Sequence, residues 1–353
     1  MINKLTQIWQ RVLQRPFIGV EESFFSLGGS FEAADQLFLE IANEFGRELP
    51  SSTIYHAQTI GALASLLRQP TVPMFSPLVQ VKAGWEQPPI LIVHGMAGTV
   101  PFFDLARHIR TGHSVCGFQA KGLDGLEKPL DRVEDMAQFY LDSLEDLQPH
   151  GPFFLVGYSF GGLVALEMAQ RLTARGEEIA LLVLVDTYPH INRLAMTQRL
   201  KLIAQRGKRI LSEIDQRLLR AARRIKSGFR SVGNHYLGNR PDKRARLSFD
   251  QTTQRVRESA YRALARYRPE FYSGKIEFVK SGSDSYYPAD PVAVWGTLTA
   301  AFEFEIVPGG HLDMLTSDCE ALAAVITRYA SEALEQEYEL ARTGYGVGLV
   351  GPI

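Results

Sequence analysis

The hydrophobic pattern of the chain changes near residue 70. Before that point, apolar residues recur at the three- and four-residue spacing of amphipathic helices. Three faces are formed by Leu5, Ile8, Trp9, Val12 and Leu13, by Ala34, Leu37, Phe38 and Ile41, and by the stretch from Thr59 to Leu67. A polar, proline-containing stretch follows from Gln69 to Pro73. We therefore predict a small all-α domain over residues 1–70 and a linker over residues 71–77.

From about Leu78 onwards, short apolar runs alternate with helical patterns. The predicted strands are Leu78–Lys82, Pro89–His94, Ser114–Gln119, Phe153–Gly157, Ala180–Asp186, Lys275–Val279 and Glu303–Val307. Nearly continuous apolar runs are typical of strands covered on both faces, and the intervening helices predict a mostly parallel sheet. This α/β domain is expected over residues 78–335.

Two segments of the second domain depart from the alternation. The gap from about residue 188 to 274 supplies no strand and reads as a helical insertion over the carboxyl edge of the sheet, where ligands bind in such folds. Residues 336–353 end in a glycine-rich stretch and are predicted to form a frayed tail.

Composition places the chain among ordinary globular proteins, because 45% of its 353 residues are hydrophobic and 22% are charged. No apolar run reaches the length of a membrane span. The two cysteines, Cys116 and Cys319, lie far apart in apolar contexts, which predicts neither a disulfide framework nor a metal cluster and favours a cytoplasmic location.

Charge is uneven although the net charge is only −1. Between Ile191 and Phe249 there are 16 Lys and Arg residues against 3 acidic ones. This basic insertion can steer an acidic partner or a phosphate, or it can be a solvated helical face. No recognition motif supports nucleic-acid binding.

The segment Gly157-Tyr158-Ser159-Phe160-Gly161-Gly162 lies between an apolar strand and an apolar helix. A serine on a sharp strand-to-helix turn needs small residues two positions before and after it, which Gly157 and Gly161 supply. This pattern is typical of the nucleophile of a serine hydrolase.

A serine nucleophile needs a general base, and the base needs an orienting acid. On this fold the chain order is serine, acid, histidine. Asp186 ends the next strand, and His311 follows the last strand in a glycine-containing loop. Asp284 is a rival for the acid, and Asp290 is a weaker rival that reads better as a helix cap.

An oxyanion needs two preorganised N–H donors. One is expected to be the backbone N–H of Phe160, which follows the serine, and the other a backbone N–H of the loop from His94 to Gly98. The side chain of His94 is expected to be structural.

Three segments, Gly157–Gly162, Val185-Asp186-Thr187 and Val307–Leu315, together resemble the thioesterase domains that end nonribosomal peptide and polyketide assembly lines. The resemblance implies an α/β-hydrolase fold with a mobile helical lid over about residues 188–274. It also implies that Asp186 rather than Asp284 is the acid, and that Met96 supplies the second oxyanion donor.

The N-terminal part is similar to a carrier-protein domain, the four-helix module that holds substrates on phosphopantetheine. The similarity rests on Ile8–Leu13 and Glu22–Gly29. In an alignment without a gap the attachment position is Phe31, which has no nucleophile. Ser30 is the attachment site only if the loop is one residue shorter. A carrier that cannot be loaded and one loaded on Ser30 both stay open.

These observations predict a serine thioesterase that releases an acyl or peptidyl chain from a phosphopantetheine thioester through an acyl-enzyme, by hydrolysis or cyclisation. The arm would be on a partner carrier or on Ser30, and the expected partners are carrier proteins or upstream synthase modules. The alternative is an editing thioesterase whose carrier-like domain only docks partner proteins. A plain esterase is the nearest enzymatic rival.

Overall fold

The protein is described here by a computed structural model. It describes residues 1–55, 57–69, 75–99, 102–145, 147–148, 150–194, 196–200, 202–203, 249–283 and 290–344.

The N-terminal domain is helical, as its hydrophobic faces predict. It contains α1 (Ile2–Leu13), α2 (Phe31–Phe45), a 3-10 helix (Ser51–Tyr55) and α3 (Ile60–Arg68). Side-chain hydroxyl groups cap the first turn of two of these helices. Ser30 accepts a hydrogen bond from the N–H of Ala33, and Thr59 accepts one from the N–H of Ala62. The apolar faces meet in a core that includes Leu5, Trp9, Leu37, Ile41 and Leu63, all of them fully buried.

The second domain is built on a seven-stranded sheet. Its strands are β1 (Leu78–Lys82), β2 (Glu86–Val93), β3 (His113–Phe118), β4 (Phe153–Tyr158), β5 (Ile179–Val185), β6 (Tyr272–Ser281) and β7 (Thr299–Val307). Their order is β1-β3-β2-β4-β5-β6-β7, and β1 alone among these pairings runs antiparallel to its neighbour. All seven predicted strands are present, and the sheet is mostly parallel as expected.

Helices cover both faces of this sheet. They are α4 (Phe103–His108), α5 (Val133–Asp142), α6 (Phe160–Ala174), α7 (Phe249–Arg266), α8 (Val292–Trp295) and α9 (Cys319–Gly344), with 3-10 helices at Ile191–Arg193 and Asp313–Leu315. Residues of α4 and α9 pack into one core, and residues of α5, α6, α7 and α8 pack into the other. The first of these cores is continuous with the core of the helical domain.

The C-terminal prediction is partly wrong. Residues 336–344, predicted to begin a frayed tail, continue α9 as far as Gly344. This stretch is rich in Glu, Leu, Ala and Arg, whose high intrinsic helix propensity favours continuation of the helix. Residues 345–353 lie outside the described residues.

The predicted insertion is described at its two ends. The described part comprises residues 188–194, the helical residues 196–200 and 202–203, and α7 with the turn into β6. Residues 204–248, which carry most of the basic side chains, lie outside the described residues, as do residues 70–74 of the linker region. Within the described part of the chain, no helix is both long and apolar enough to cross a membrane.

Candidate active site

Ser159 sits on a strained turn between β4 and α6. Its φ is 54° and its ψ is −121°, a backbone conformation that is costly for a residue with a side chain. The turn is tight because a Cβ on Gly157 would lie 2.3 Å from the Cα of Gly162, and a Cβ on Gly161 would lie 2.1 Å from the carbonyl oxygen of His94. The glycines of the sequence pattern are therefore required by close backbone approach, and the turn holds Ser159 at the first turn of a helix.

The structure brings the three predicted residues Ser159, His311 and Asp186 into one hydrogen-bonded chain. The Oγ atom of Ser159 lies 3.0 Å from Nε2 of His311, and Nδ1 of His311 lies 3.1 Å from Oδ2 of Asp186. Asp186 is fully buried, and the His311 side chain is 17% exposed. The carboxylate therefore orients an imidazole whose other nitrogen faces the serine hydroxyl.

Asp186 is held in place by a residue that sequence reasoning missed. Its backbone is strained, with a φ of 44°, and its N–H donates to the carbonyl oxygen of Val279 on β6. Ser281, the last residue of β6, donates its backbone N–H to Oδ1 of Asp186 at 3.0 Å and its hydroxyl to Oδ2 at 2.5 Å. Bonds of this kind to a buried carboxylate are strong. The only indication in the sequence was that Ser281 lies at the end of one strand and Asp186 at the end of the neighbouring strand.

Tyr158 is a second residue that the sequence did not single out. Its hydroxyl donates to the backbone carbonyl of His311 at 2.6 Å. Its ring also stacks on the imidazole, with ring centroids 4.9 Å apart and an interplanar angle of 23°. Gly309 has a φ of +84°, which allows the loop after β7 to turn towards Ser159. Tyr158 and this loop together fix the position of the imidazole.

The loop after β2, His94–Thr99, lies beside the serine. A Cβ on Gly95 would lie 3.8 Å from the Cβ of Ser159. This loop contains Met96, which is half-buried, and Phe160 begins α6 directly after the serine. The predicted oxyanion donors, Met96 and Phe160, thus belong to two segments that both adjoin Ser159. Their role in holding an oxyanion stays a prediction.

His94 is fully buried, and both of its ring nitrogens have partners. Nδ1 faces the carbonyl oxygen of Gly95 at 2.6 Å, so it carries the proton and donates. Nε2 then accepts from the hydroxyl of Tyr140. Burial lowers the pKa of His94 to about 4, and its hydrogen bond to Gly95 offsets part of that effect. A neutral histidine with both nitrogens bonded fits the structural role expected for it.

Of the two rivals for the acid, Asp284 lies outside the described residues. Asp290 accepts the N–H of Ala293 at the start of α8, the capping role that the sequence suggested.

Ser30 and Phe31 lie at the start of α2. Ser30 is exposed, and its Oγ accepts the backbone N–H of Ala33 at 3.2 Å, so the hydroxyl acts as the helix cap. Phe31 is the first residue of the helix. Ala34 and Leu37 are buried, as the alignment without a gap requires. Phe31 has no hydroxyl that could carry a phosphopantetheine arm, whereas the exposed hydroxyl of Ser30 accepts a bond at the helix start and keeps its own proton.

Among the described residues, no group of three or more His, Cys, Asp or Glu side chains has an arrangement that could hold a metal ion. Cys116 and Cys319 are both buried and free.

Two family matches cover most of the chain. The Thioesterase domain family matches residues 88–330, and the phosphopantetheine attachment site family matches residues 3–67. The second match implies phosphopantetheine as the cofactor of that domain family.

Among curated proteins, the chain is 34% identical over 187 residues to malpibaldin synthetase of Mortierella alpina, covering 52% of this chain and 3% of that protein. It is 33% identical over 188 residues to the dimodular nonribosomal peptide synthase of Bacillus subtilis (strain 168), covering 53% of this chain and 8% of that protein. The chain therefore spans less than a tenth of the length of either relative.

Solved structures share the fold at lower identity. A four-domain nonribosomal peptide synthetase in its holo form, bound to AMP and glycine, matches 96% of this chain and 26% of its own, with 23% identity and a TM-score of 0.56. The NocB thioesterase domain, in covalent complex with a fluorophosphonate nocardicin G analogue, matches 69% of this chain and 95% of its own, with 22% identity and a TM-score of 0.50. With more than half of its length matched by one family, the chain belongs to the thioesterase family, as an α/β-hydrolase domain preceded by a domain of the phosphopantetheine attachment site family.

Proposed function

We propose that the protein is a serine thioesterase that releases an acyl or peptidyl chain from a phosphopantetheine thioester through an acyl-enzyme. The observation that carries this proposal is the hydrogen-bonded chain from Ser159 Oγ to His311 Nε2, 3.0 Å apart, and from His311 Nδ1 to Asp186 Oδ2, 3.1 Å apart. This chain has the arrangement of nucleophile, base and orienting acid that acyl transfer requires.

In the first half of the reaction, Ser159 Oγ attacks the thioester carbonyl while Nε2 of His311 takes the hydroxyl proton. Asp186 accepts a hydrogen bond from Nδ1 and stabilises the imidazolium that forms. The oxyanion is held by the backbone N–H groups of Met96 and Phe160. The C–S bond then breaks, His311 gives its proton to the departing thiolate, and the acyl chain stays on Ser159.

In the second half, His311 takes a proton from the incoming nucleophile, which attacks the ester on Ser159. Water yields a free acid, and a hydroxyl or amine of the chain itself yields a cyclic product. The proton then returns to Ser159 Oγ as the C–O bond breaks. The same residues serve both halves, because each half passes through a tetrahedral intermediate at the acyl carbon and needs the same proton transfers in reverse order.

The surroundings of Ser159 suit an apolar acyl group. A small space of about 10 Å³ lies beside Phe160 and His94. Its walls are mostly apolar and include Ala120, Leu130, Met136, Val256 and Ala260, with Lys121 as a charged neighbour. Apolar side chains next to the nucleophile favour the hydrocarbon part of an acyl chain, but the space between them is too small to hold that chain as it stands.

The substrate arm is proposed to arrive on a partner. The relatives are synthetases, which supports an interaction of this chain with carrier proteins or synthase modules. Within this chain, Phe31 at the attachment position of the alignment without a gap favours a carrier-like domain that is not loaded. This is the observation that favours the second candidate function, an editing thioesterase that removes chains from the carriers of other modules.

The nucleophile is tested by Ser159→Ala, with Ser331→Ala on the exposed face of α9 as the matched control. Release of thiol from an acyl-pantetheine thioester should be abolished in the first variant and unchanged in the second. A fluorophosphonate should add its mass to the native protein and to Ser331→Ala only. Retained turnover in Ser159→Ala would refute the assignment.

The carrier question is tested by intact mass after incubation with a phosphopantetheinyl transferase and coenzyme A. We expect no mass gain, because Phe31 at the attachment position has no hydroxyl and Ser30 lies one residue before that position. A gain that disappears in Ser30→Ala would show that the domain is a loaded carrier and would remove the support for the editing function.

A further inference from the structure

The helical domain touches the segment that runs from the candidate oxyanion loop, His94–Thr99, into α4. The Tyr55 hydroxyl lies beside the side chain of Thr99, the last residue of that loop, and interacts with it. The rings of Phe25, Tyr55 and Phe103 form a cluster, in which Phe103, the first residue of α4, lies 5.6 Å from Phe25 and 6.5 Å from Tyr55. One turn further along α4, Arg107 donates to the hydroxyl of Ser26. Each contact pairs a residue of the helical domain with the same short segment of the hydrolase.

This contact region is buried. Tyr55 is 2% exposed, Thr99 is 4% exposed and Phe103 is 9% exposed. Burial raises the pKa of Tyr55 far above its usual range, although the neighbouring side chain of Thr99 offsets part of that rise. The phenol therefore stays protonated at neutral pH, and separating the domains would transfer its hydroxyl and three stacked rings from a packed interior into water.

A second path leads from the helical domain to the same loop. Helix α2 lies against α7, the lid helix at the C-terminal end of the insertion. Val256 on α7 in turn packs on Gly98, where a Cβ would lie only 2.5 Å from Cγ1 of Val256. The loop beside Ser159 is thus contacted by the helical domain directly, through Tyr55, and indirectly, through α7.

We propose that the helical domain is a fixed brace for the oxyanion loop, with Tyr55 as its positioning residue. This inference rests on the proposed function, since the position of the loop matters for chemistry only if Ser159 generates an oxyanion. Oxyanion donors act because they are held in place before the reaction, so a small displacement of the loop lowers the rate without changing how the substrate binds.

A fixed brace accounts for two features together. A domain that ferries a chain between sites must leave its docking surface, whereas this one shares a continuous core with the hydrolase. A domain that never leaves has no need of an attachment serine, which agrees with Phe31 at that position. The role of the helical domain is then to complete the thioesterase rather than to deliver its substrate.

The brace is tested with Tyr55→Phe, which keeps the stacked ring and removes only the hydroxyl, and with Thr99→Val, which removes the partner at nearly constant shape. On a small soluble acyl-pantetheine thioester, each variant should lower kcat about three- to tenfold, the usual effect of one hydrogen bond, and leave KM unchanged. The double variant should be no slower than either single one, because both remove the same interaction.

The matched control is Tyr329→Phe. Tyr329 is also buried, at 4% exposed, and its hydroxyl bonds to Glu305, away from the loop. It should lose stability as Tyr55→Phe does but keep its kcat. A kcat for Tyr55→Phe equal to that of Tyr329→Phe would overturn the brace. Absence of thioester turnover in the native protein would instead overturn the proposed function.

A second experiment asks whether the docked arrangement is the working one. Cysteines placed by Ser26→Cys and Arg107→Cys, whose native side chains are in contact, are joined by a short bismaleimide. With a fixed brace, the linked protein should keep the kcat of the unlinked double variant. Loss of turnover on linking would show that the domains must separate and would overturn the proposal. The native protein treated with the same reagent is the control.

Discussion

At the scale of single residues, the site depends on side chains that hold other side chains. Asp186 receives two hydrogen bonds from Ser281 besides the one from His311, and Tyr158 holds His311 through its backbone carbonyl and its ring. Both supporting residues lie next to strand ends. The proposed nucleophile and base therefore have restricted positions before any substrate binds, which is the preorganisation that catalysis requires.

The assignment of the acid can be tested with two substitutions of equal chemistry. Asp186→Asn should lower kcat on the order of 10³- to 10⁴-fold, because the amide neither favours the productive tautomer nor stabilises the imidazolium. Asp284→Asn should stay close to the native protein. Ser281→Ala should fall between them, since it loosens the carboxylate without removing it. Steady-state kinetics on one thioester decide this, and a larger loss at Asp284 would contradict the assignment.

His94 makes stability depend on pH. The pKa of His94 in the folded protein, about 4, is below its value in the unfolded chain. Below pH 6.5 the unfolded chain therefore binds a proton at this histidine that the folded protein does not bind. The stability present above pH 6.5 is therefore lost as pH falls towards 4, by about 2 kcal/mol at pH 5. Urea unfolding of the native protein and of His94→Asn at pH 7.5 and pH 5 checks this. Equal pH dependence in both proteins would show that another group is responsible.

At the scale of elements, α7 and the loop His94–Thr99 are packed against each other without space for one more methyl group. Gly98 has a φ of +75°, and its missing Cβ would meet Val256 of α7 and Ala120 at 2.5 and 2.6 Å. Glycine is needed here both for its backbone conformation and for its size.

Gly98→Ala should therefore lower kcat and stability together, because the loop or α7 must shift. Gly176→Ala is the matched control, because Gly176 has a φ of +81° but no atom within 4 Å of its missing Cβ. The control should lose about 1 kcal/mol of stability from backbone strain alone and keep its kcat. Measured thermal midpoints and kcat values separate the two effects. Equal kcat losses in both variants would contradict the packing argument.

At the scale of the whole molecule, the core of the helical domain and one core of the hydrolase are continuous. Trp9 is buried in the first and Trp295 in the second domain, each fully enclosed. Two domains joined only by a linker would unfold separately, whereas a shared core couples their unfolding.

Leu37→Ala in α2 tests this coupling. Leu37 is fully buried, and its truncation should cost about 2 to 5 kcal/mol. We expect one denaturation transition. Leu37→Ala should shift its midpoint by the same amount whether tryptophan fluorescence is recorded in a Trp9→Phe background or in a Trp295→Phe background. A shift seen only by Trp9 would show that the domains are independent.

The sequence allowed most of the fold to be predicted, because its information is local. Runs such as Phe153–Val156 mark strands covered on both faces, and the helical faces of Leu5 and Ala34 follow from side-chain periodicity. The end of α9 was placed too early, because a glycine-rich terminus obscured the strong helix propensity of the residues before it. The beginning and type of an element depend on neighbours along the chain, which a sequence displays directly.

The sequence by itself determined the α/β architecture, the order of serine, acid and histidine along the chain, and the turn that Gly157 and Gly161 make possible. Only the tertiary structure decided what surrounds those residues. Ser281 contacts Asp186, from which it is separated by 95 positions in the sequence, and Tyr158 contacts His311, which is 153 positions away. Tyr55 contacts the loop of Thr99 across a domain boundary. Such contacts depend on how strands and domains pack, so no local pattern of residues encodes them.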